Sequence, residues 1–463
     1  MREPGEILLV ACYELGHQPL AVAWPAAFLE RMGYRAAVMD LSVEPFDSEK
    51  VAVAKVVAIS VPMHTALRLG VLAAERIRAV NPGCHLCFFG LYAGLNAEYL
   101  FAHGAQSVIS GETETPLTDL VRALEAGDGR PLSSVRRPGQ EAAPHLQRLD
   151  FPVPSRALLP SLKSYAHLER DGRHETVGYV EASRGCLHLC RHCPIPPVYG
   201  GRFFAVPRDV VLSDIRQQVT AGAGHITFGD PDFLNGPTHA LRLARDLHAE
   251  FPQLTFDFTA KIEHLLRHRG HLRELALLGC LFIVSAAESL SDTVLANLDK
   301  GHTAADIASV LGATREAGIE LRPTWVAFTP WTTLADYQAL LAFIEVEGLI
   351  DHVDPVQYSL RLLVPPGSLL LASPALRPCL GTLERETLSY RWTHEDARMD
   401  RLQEQVANAV AEAAQRGEDA AITFDFIRGL ADGAAGAPKR PGVAARLAPN
   451  RPRPPRLTES WFC

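Results

Sequence analysis

The densest chemistry in this chain lies in one short run, Gly185-Cys186-Leu187-His188-Leu189-Cys190-Arg191-His192-Cys193-Pro194. Its three cysteines are spaced C-x₃-C-x₂-C and follow directly on a strand predicted over 177–182. Such a loop brings three soft thiolates to one point, a donor set that suits iron–sulfur or zinc. Structural zinc needs a fourth ligand and usually shows a second matched pair of cysteines. No second pair follows, although His188 and His192 could complete a zinc site. Three cysteines alone would leave one iron of a four-iron cluster open to an external ligand.

The strand before the loop is the first of a series. Further strands are predicted at 226–228, 254–258, 281–285, 321–328 and 356–363, with helices between them near 210–221, 240–250, 267–278, 304–317 and 334–344. Six βα units predict a partial barrel, open and smaller than the eight-fold form, with its chemistry where strands end and loops begin. Those ends carry polar text. Gly229-Asp230-Pro231-Asp232 closes the second strand, or is a turn held by its Asp side chains. Thr259-Ala260-Lys261-Ile262-Glu263 closes the third, or is a surface Lys–Glu pair. Ser285-Ala286-Ala287-Glu288-Ser289 closes the fourth, or opens a helix capped by Ser289. Thr324 on the fifth strand, and Gln357, Ser359 and Arg361 alternating on the sixth, are expected to face the barrel interior.

Ahead of the barrel the alternation has a shorter period. Apolar runs at 7–11, 35–39, 56–60, 85–89 and 107–109 are interleaved with helical text, which predicts a doubly wound, Rossmann-like parallel sheet of about five strands covered on both faces. Ligands on such sheets lie at the carboxyl ends of the strands. The chain therefore divides into an α/β unit at 1–127, a Gly- and Pro-rich linker at 128–175, the barrel at 176–370, a helical region at 371–432 and a flexible Pro/Arg-rich tail at 433–463.

Composition excludes several classes. Of 463 residues, 47% are hydrophobic and 21% charged, which is ordinary globular usage and rules out wholesale disorder. A net charge of −8 shows no face-wide basic excess, so nucleic acid is not an expected partner. No stretch approaches the roughly 18 apolar residues of a membrane span, and the start does not read as a signal peptide, so a cytoplasmic location is expected. Nine cysteines in a reducing compartment are core thiols, metal ligands or redox groups. Cys84-His85-Leu86-Cys87 looks like a redox pair, but it starts a predicted strand, and core thiols are the simpler reading.

The cysteine spacing, its place after the first barrel strand and the barrel itself resemble the radical S-adenosylmethionine superfamily. The resemblance implies a 4Fe-4S cluster on Cys186, Cys190 and Cys193. It implies S-adenosylmethionine near Gly229, Asp230, Thr259, Lys261, Ser285 and Glu288, and an electron donor such as flavodoxin or ferredoxin. His192 stands where such proteins usually have an aromatic residue. The amino-terminal unit resembles the cobalamin-binding domain of the cobalamin-dependent members, which implies ligand contacts at Ser60, Gly90 and Gly111. The D-x-H-x-x-G motif of a lower cobalt ligand is absent: the first loop reads Cys12-Tyr13-Glu14-Leu15-Gly16-His17-Gln18. The segments 184–202, 228–235, 298–303, 330–333 and 354–366 closely resemble the CUAEP/CCAEP-tail radical S-adenosylmethionine proteins, in which the chain runs on past this point with Cys or selenocysteine and then Ala-Glu-Pro. That resemblance implies a redox tail at Cys463 and a stop at the selenocysteine position. The substrate is not legible.

Overall fold

A computed structural model of the chain describes residues 1–438, 440–448 and 450–458. Strands β1 (Ile7–Ala11), β2 (Ala37–Asp40), β3 (Val56–Ser60), β4 (His85–Phe89) and β5 (Ser107–Ile109) run parallel in the order β2-β1-β3-β4-β5. Every residue of β1 and β3 is buried, the expected state of apolar strands covered by helices on both faces. The predicted linker supplies one more edge strand, β6 (Val135–Arg136), antiparallel to β5. The strand order changes direction between β1 and β3, so the carboxyl ends there face a crevice.

The chain enters the second sheet through a hairpin of β7 (His167–Arg170) and β8 (Arg173–Val180). A small clip follows, β9 (Ser183–Gly185) paired with β10 (Phe203–Ala205), and the cysteine loop lies between its two strands. Strands β11 (His225–Phe228), β12 (Thr255–Thr259), β13 (Cys280–Glu288) and β14 (Glu320–Trp325) continue the parallel sheet from β8. Its core draws on the first unit too: Trp24 and Phe28 of the helix Leu20–Arg31 belong to the barrel's apolar cluster. The two units thus share buried surface.

The expected sixth strand is not built. Residues Pro355–Tyr358 form a 3₁₀ turn, and only the bridge between Phe328 and Arg361 keeps the sixth position. Pro355 cannot donate to a strand ladder. Gln357 instead turns inward, its Oε1 accepting from the Trp325 amide at 3.0 Å. Arg361 pairs with Asp400 at 2.7 Å and lies over the Trp392 ring, so the expected alternation along the barrel wall does not form.

The helical region also begins differently from expectation, with the hairpin β15 (Leu380–Glu384) and β16 (Ser389–Trp392) before the helices Ala397–Arg416 and Ala420–Ala434. The Arg-rich segment expected to be flexible is docked over its described part. Arg451 pairs with Asp351 and Asp419, Arg453 with Asp419 and Arg456 with Glu169. Strand β17 (Arg456–Leu457) adds to the sheet beside β7. Composition alone reads such text as unable to fold by itself; here it borrows a sheet edge and acidic partners from the barrel. Cys463 and the rest of 459–463 lie outside the described residues.

Candidate functional site

The cysteine loop is shaped by its first residue. Gly185 has φ +75°, and a Cβ there would stand 2.4 Å from the Arg202 carbonyl oxygen, so only glycine lets the chain leave β9 toward Cys186. The loop is anchored by hydrogen bonds from Leu187 N to Asn235 Oδ1 (3.2 Å) and from Arg191 N to the Leu298 carbonyl (2.9 Å). Cys186, Cys190 and Cys193 are all free thiols. Burial pushes the Cys193 thiol up to about 12 and raises Cys186, so without a cation these two sulfurs stay protonated.

A single zinc ion would hold its sulfurs within roughly 4 Å of one another, given bonds of about 2.3 Å. Among the described residues, one trio of donors gathers within 4.8 Å, and it is His188, Asp232 and His264, not the cysteines. The cysteine sulfurs are spread more widely, which suits a cluster larger than one ion. Nor do the two histidines complete a sulfur site. His192 turns to Glu288 (Nε2 to Oε1, 3.1 Å) and His188 to His264 (Nε2 to Nε2, 3.1 Å).

The strand-end candidates divide by what already holds them. Gly229 packs beneath Tyr179, whose hydroxyl oxygen would lie 2.1 Å from an added Cβ. Asp230 is buried, accepts from Ala182 N (2.8 Å) and from the Ser183 hydroxyl, and burial raises its carboxyl to about 7. Ser285 donates to the Ala260 carbonyl at 2.7 Å. Glu288 ends β13 with φ +65° and pairs with Lys300 Nζ at 3.1 Å. Burial opposes its ionisation, but the Lys300 charge and His192 outweigh burial and hold the carboxyl well below the usual range. Thr259 ends β12 half-buried, and Lys261 is buried beside it with Nζ 3.5 Å from Glu263. Asp230, Ser285 and Glu288 are thus engaged by the protein itself.

Ser60, Gly90 and Gly111 line one cavity of about 210 Å³ between the two units, together with Arg184, Tyr199 and Gly229. Ser60 Oγ and Glu114 Oε2 are buried there and have no hydrogen-bond partner among the described residues. Gly111 is bridged to His145 of the linker, which occupies one side of it. His17 is not in this wall: it is buried and stacked on Tyr179, ring centroids 4.5 Å apart, and burial pushes it down to about 4.

Sequence reading missed what joins the two units here. Arg184 reaches Glu112 (3.1 Å), Glu114 (2.6 Å) and Glu181 (3.0 Å), and Tyr199 donates to Glu112 at 2.9 Å. Both carboxylates, next to Gly111 in the chain, turn to Arg184. The signal was available as an acidic pair at one strand end and an arginine two residues before Cys186.

Glu14 lies at the same junction. Its carboxyl accepts from the amides of Leu20 (3.1 Å) and Ala21 (3.4 Å) at the start of the helix Leu20–Arg31. Burial, with Glu181 nearby, raises it to about 8. A folded carboxyl that holds its proton more tightly than the unfolded one stabilises at low pH, and that stability is lost as pH rises from its ordinary value of 4.5 through about 8. Glu14→Gln keeps an acceptor and removes the titration. Melting temperature between about pH 5.5 and 8.5 should therefore fall less steeply in the variant than in the wild type; equal slopes would refute the assignment.

The fold is similar to that of solved cobalamin-dependent radical S-adenosylmethionine enzymes. The structure of the cobalamin-dependent S-adenosylmethionine radical enzyme OxsB with aqua-cobalamin and S-adenosylmethionine bound matches with a TM-score of 0.69 and 14% identity, over 86% of this chain and 66% of that one. The radical S-adenosylmethionine methyltransferase TsrM from Kitasatospora setae matches with a TM-score of 0.58 and 18% identity, over 73% and 71%. No protein-family model matches the chain. Among curated proteins, the tRNA-2-methylthio-N(6)-dimethylallyladenosine synthase of Geobacter sulfurreducens is 26% identical over 192 residues, 38% of this chain and 42% of that protein. The ribosomal protein uS12 methylthiotransferase RimO of Porphyromonas gingivalis is 25% identical over 185 residues, 36% and 40%. The matched region spans less than half the length of these relatives. No described helix is long and apolar enough to cross a membrane.

Proposed function

We propose that this chain is a radical S-adenosylmethionine enzyme. In this reading Cys186, Cys190 and Cys193 hold a 4Fe-4S cluster, S-adenosylmethionine lies over the strand ends at Gly229, Thr259 and Lys261, and cobalamin lies in the cleft lined by Ser60, Gly90 and Gly111. The observation that carries the proposal is the loop itself: three free thiols between β9 and β10, spread wider than one ion requires. The orphaned Ser60 hydroxyl and Glu114 oxygen are polar atoms that part of a cofactor could meet, although a cavity of about 210 Å³ takes only a fraction of a molecule the size of cobalamin.

When bound, these cofactors supply one-electron cleavage of S-adenosylmethionine to methionine and a 5′-deoxyadenosyl radical, and a carrier for methyl transfer. The protein's part is position and exclusion of water. Gly185 aims the loop, Asn235 and Leu298 fix it, and the buried Glu288–Lys300 pair keeps a fixed positive charge near Cys190 and Cys193. An electron donor such as flavodoxin or ferredoxin would be required. The likeness to CUAEP/CCAEP-tail proteins rests on the sequence segments alone, and the redox tail it implies lies outside the described residues.

The test is anaerobic reconstitution followed by iron analysis and chromatography of S-adenosylmethionine products under reductant. Wild type is expected to carry four irons and form 5′-deoxyadenosine. Cys186→Ala, Cys190→Ala and Cys193→Ala are each expected to lose the cluster and form none. Wild type that takes up zinc in the cysteine loop, or iron without producing 5′-deoxyadenosine, would refute the proposal.

A further inference from the structure

We infer a second metal site, independent of the cysteines, formed by His188, Asp232 and His264 and suited to a divalent transition ion of the zinc class. The three donors lie within 4.8 Å of one another. Asp232 Oδ2 is 2.8 Å from His264 Nδ1 and 3.8 Å from His188 Nε2, and the two histidine Nε2 atoms are 3.1 Å apart. Zinc bonds to nitrogen and carboxylate oxygen run about 2.0–2.2 Å, which sets ligands of one ion roughly 3 to 3.6 Å from each other. Asp232 Oδ2 and His264 Nδ1 stand close to that range; the 3.1 Å contact of His188 is with the opposite nitrogen of His264, so His188 would have to shift toward Nδ1 to share the ion.

A plain hydrogen-bonded Asp–His pair does not account for the cluster. His264 is 3% exposed, and its Nδ1 has no hydrogen-bond partner although the Asp232 oxygen is close. That oxygen stands beside the ring nitrogen, off the line along which an N–H would donate. A buried ring nitrogen without a hydrogen-bond partner, 2.8 Å from a buried carboxylate, is what a shared cation leaves room for.

The site is also held from behind. Asp232 is fully buried, and its carboxylate is fixed by the amides of Leu234 (Oδ1, 2.9 Å) and Lys261 (Oδ2, 3.3 Å). Glu263 Oε2 lies 3.6 Å from His188 Nδ1, on the far side of the ring from the other donors. A carboxylate behind a metal-binding histidine fixes its orientation and basicity. The three ligands come from three segments: the cysteine loop, the turn after β11 and the helix Ile262–Arg267. A bound ion would therefore fasten the cysteine loop to the ends of β11 and β12. Nitrogen and oxygen donors separate it from the sulfur set, so the two metals would sort by softness.

The test measures zinc on the full chain with its cluster reconstituted, so that the cysteines are occupied. After zinc is added and excess removed, the expected content is about one zinc per chain beside the iron. X-ray absorption at the zinc edge should show nitrogen and oxygen at about 2.0–2.1 Å with imidazole scattering and no sulfur shell near 2.3 Å. His264→Ala and Asp232→Asn should each lower zinc affinity roughly a hundredfold while iron content holds. The same titration on the Cys186→Ala, Cys190→Ala, Cys193→Ala triple variant should still take up one zinc, which separates this site from the cluster and from the function proposed above. Absence of retained zinc in both proteins, a sulfur shell, or zinc content unchanged by both substitutions would overturn the inference.

Discussion

Arg184→Ala is expected to destabilise the protein by about 3–5 kcal/mol, the range for stripping one partner from a buried ion pair. Arg184 sits between Glu112 and Glu114 of the first unit and Glu181 of the barrel, and both glutamates of the first unit have almost no exposed side-chain surface. Burial raises Glu112 to about 7 even with the guanidinium in place, and it raises Glu181 as well. Removing Arg184 also removes a guanidinium lying 4.4 Å over the Trp24 ring, on the helix that joins the two cores. The carboxyls left behind can escape only by taking up protons, so the loss should be smaller near pH 6 than near pH 8. Arg184→Lys keeps the charge but not the fork that reaches three carboxylates, and should recover only part of the loss. Urea unfolding at the two pH values measures all of this. A change under about 1 kcal/mol in Arg184→Ala, within the scatter of surface substitutions, would show that the network does not join the units.

Lys300→Ala should have the next largest effect. Lys300 and Glu288 are both buried and 3.1 Å apart, and Glu288 carries the positive φ at the end of β13. The lysine charge also faces Cys190 and Cys193. Its loss strands Glu288 beside the cysteine loop with only His192 as partner, at a cost of about 3 kcal/mol. The paired replacement Lys300→Met with Glu288→Gln removes both charges and should return to within about 1 kcal/mol of wild type, because a buried pair replaced as a unit is often neutral. If the double variant is as unstable as Lys300→Ala, packing and not charge is what Lys300 supplies.

The outline of the fold was legible because strand and helix are written in short-range periodicity. Runs such as Ile7-Leu8-Leu9-Val10-Ala11 and Val56-Val57-Ala58-Ile59-Ser60 are apolar on both faces and became the buried β1 and β3. The predicted sixth barrel strand had strand composition, but Pro355 and the inward turn of Gln357 made a 3₁₀ turn of it. The Arg-rich tail read as unable to fold because composition counts only what a segment can bury by itself. Arg451 finds Asp351 a hundred residues away, and no local rule registers that pairing.

What the sequence determined alone was the cysteine spacing, the strand that delivers it and the alternating α/β order, since these depend on covalent distance and local pattern. Tertiary structure decided the partners of the charges. It placed Glu112 and Glu114 on Arg184, turned His188 away from the cysteines toward Asp232 and His264, and tied Glu288 to Lys300. A buried charge must be matched by whatever the fold brings within a few ångströms, and that neighbour comes from another segment of the chain, beyond the reach of any window read along it.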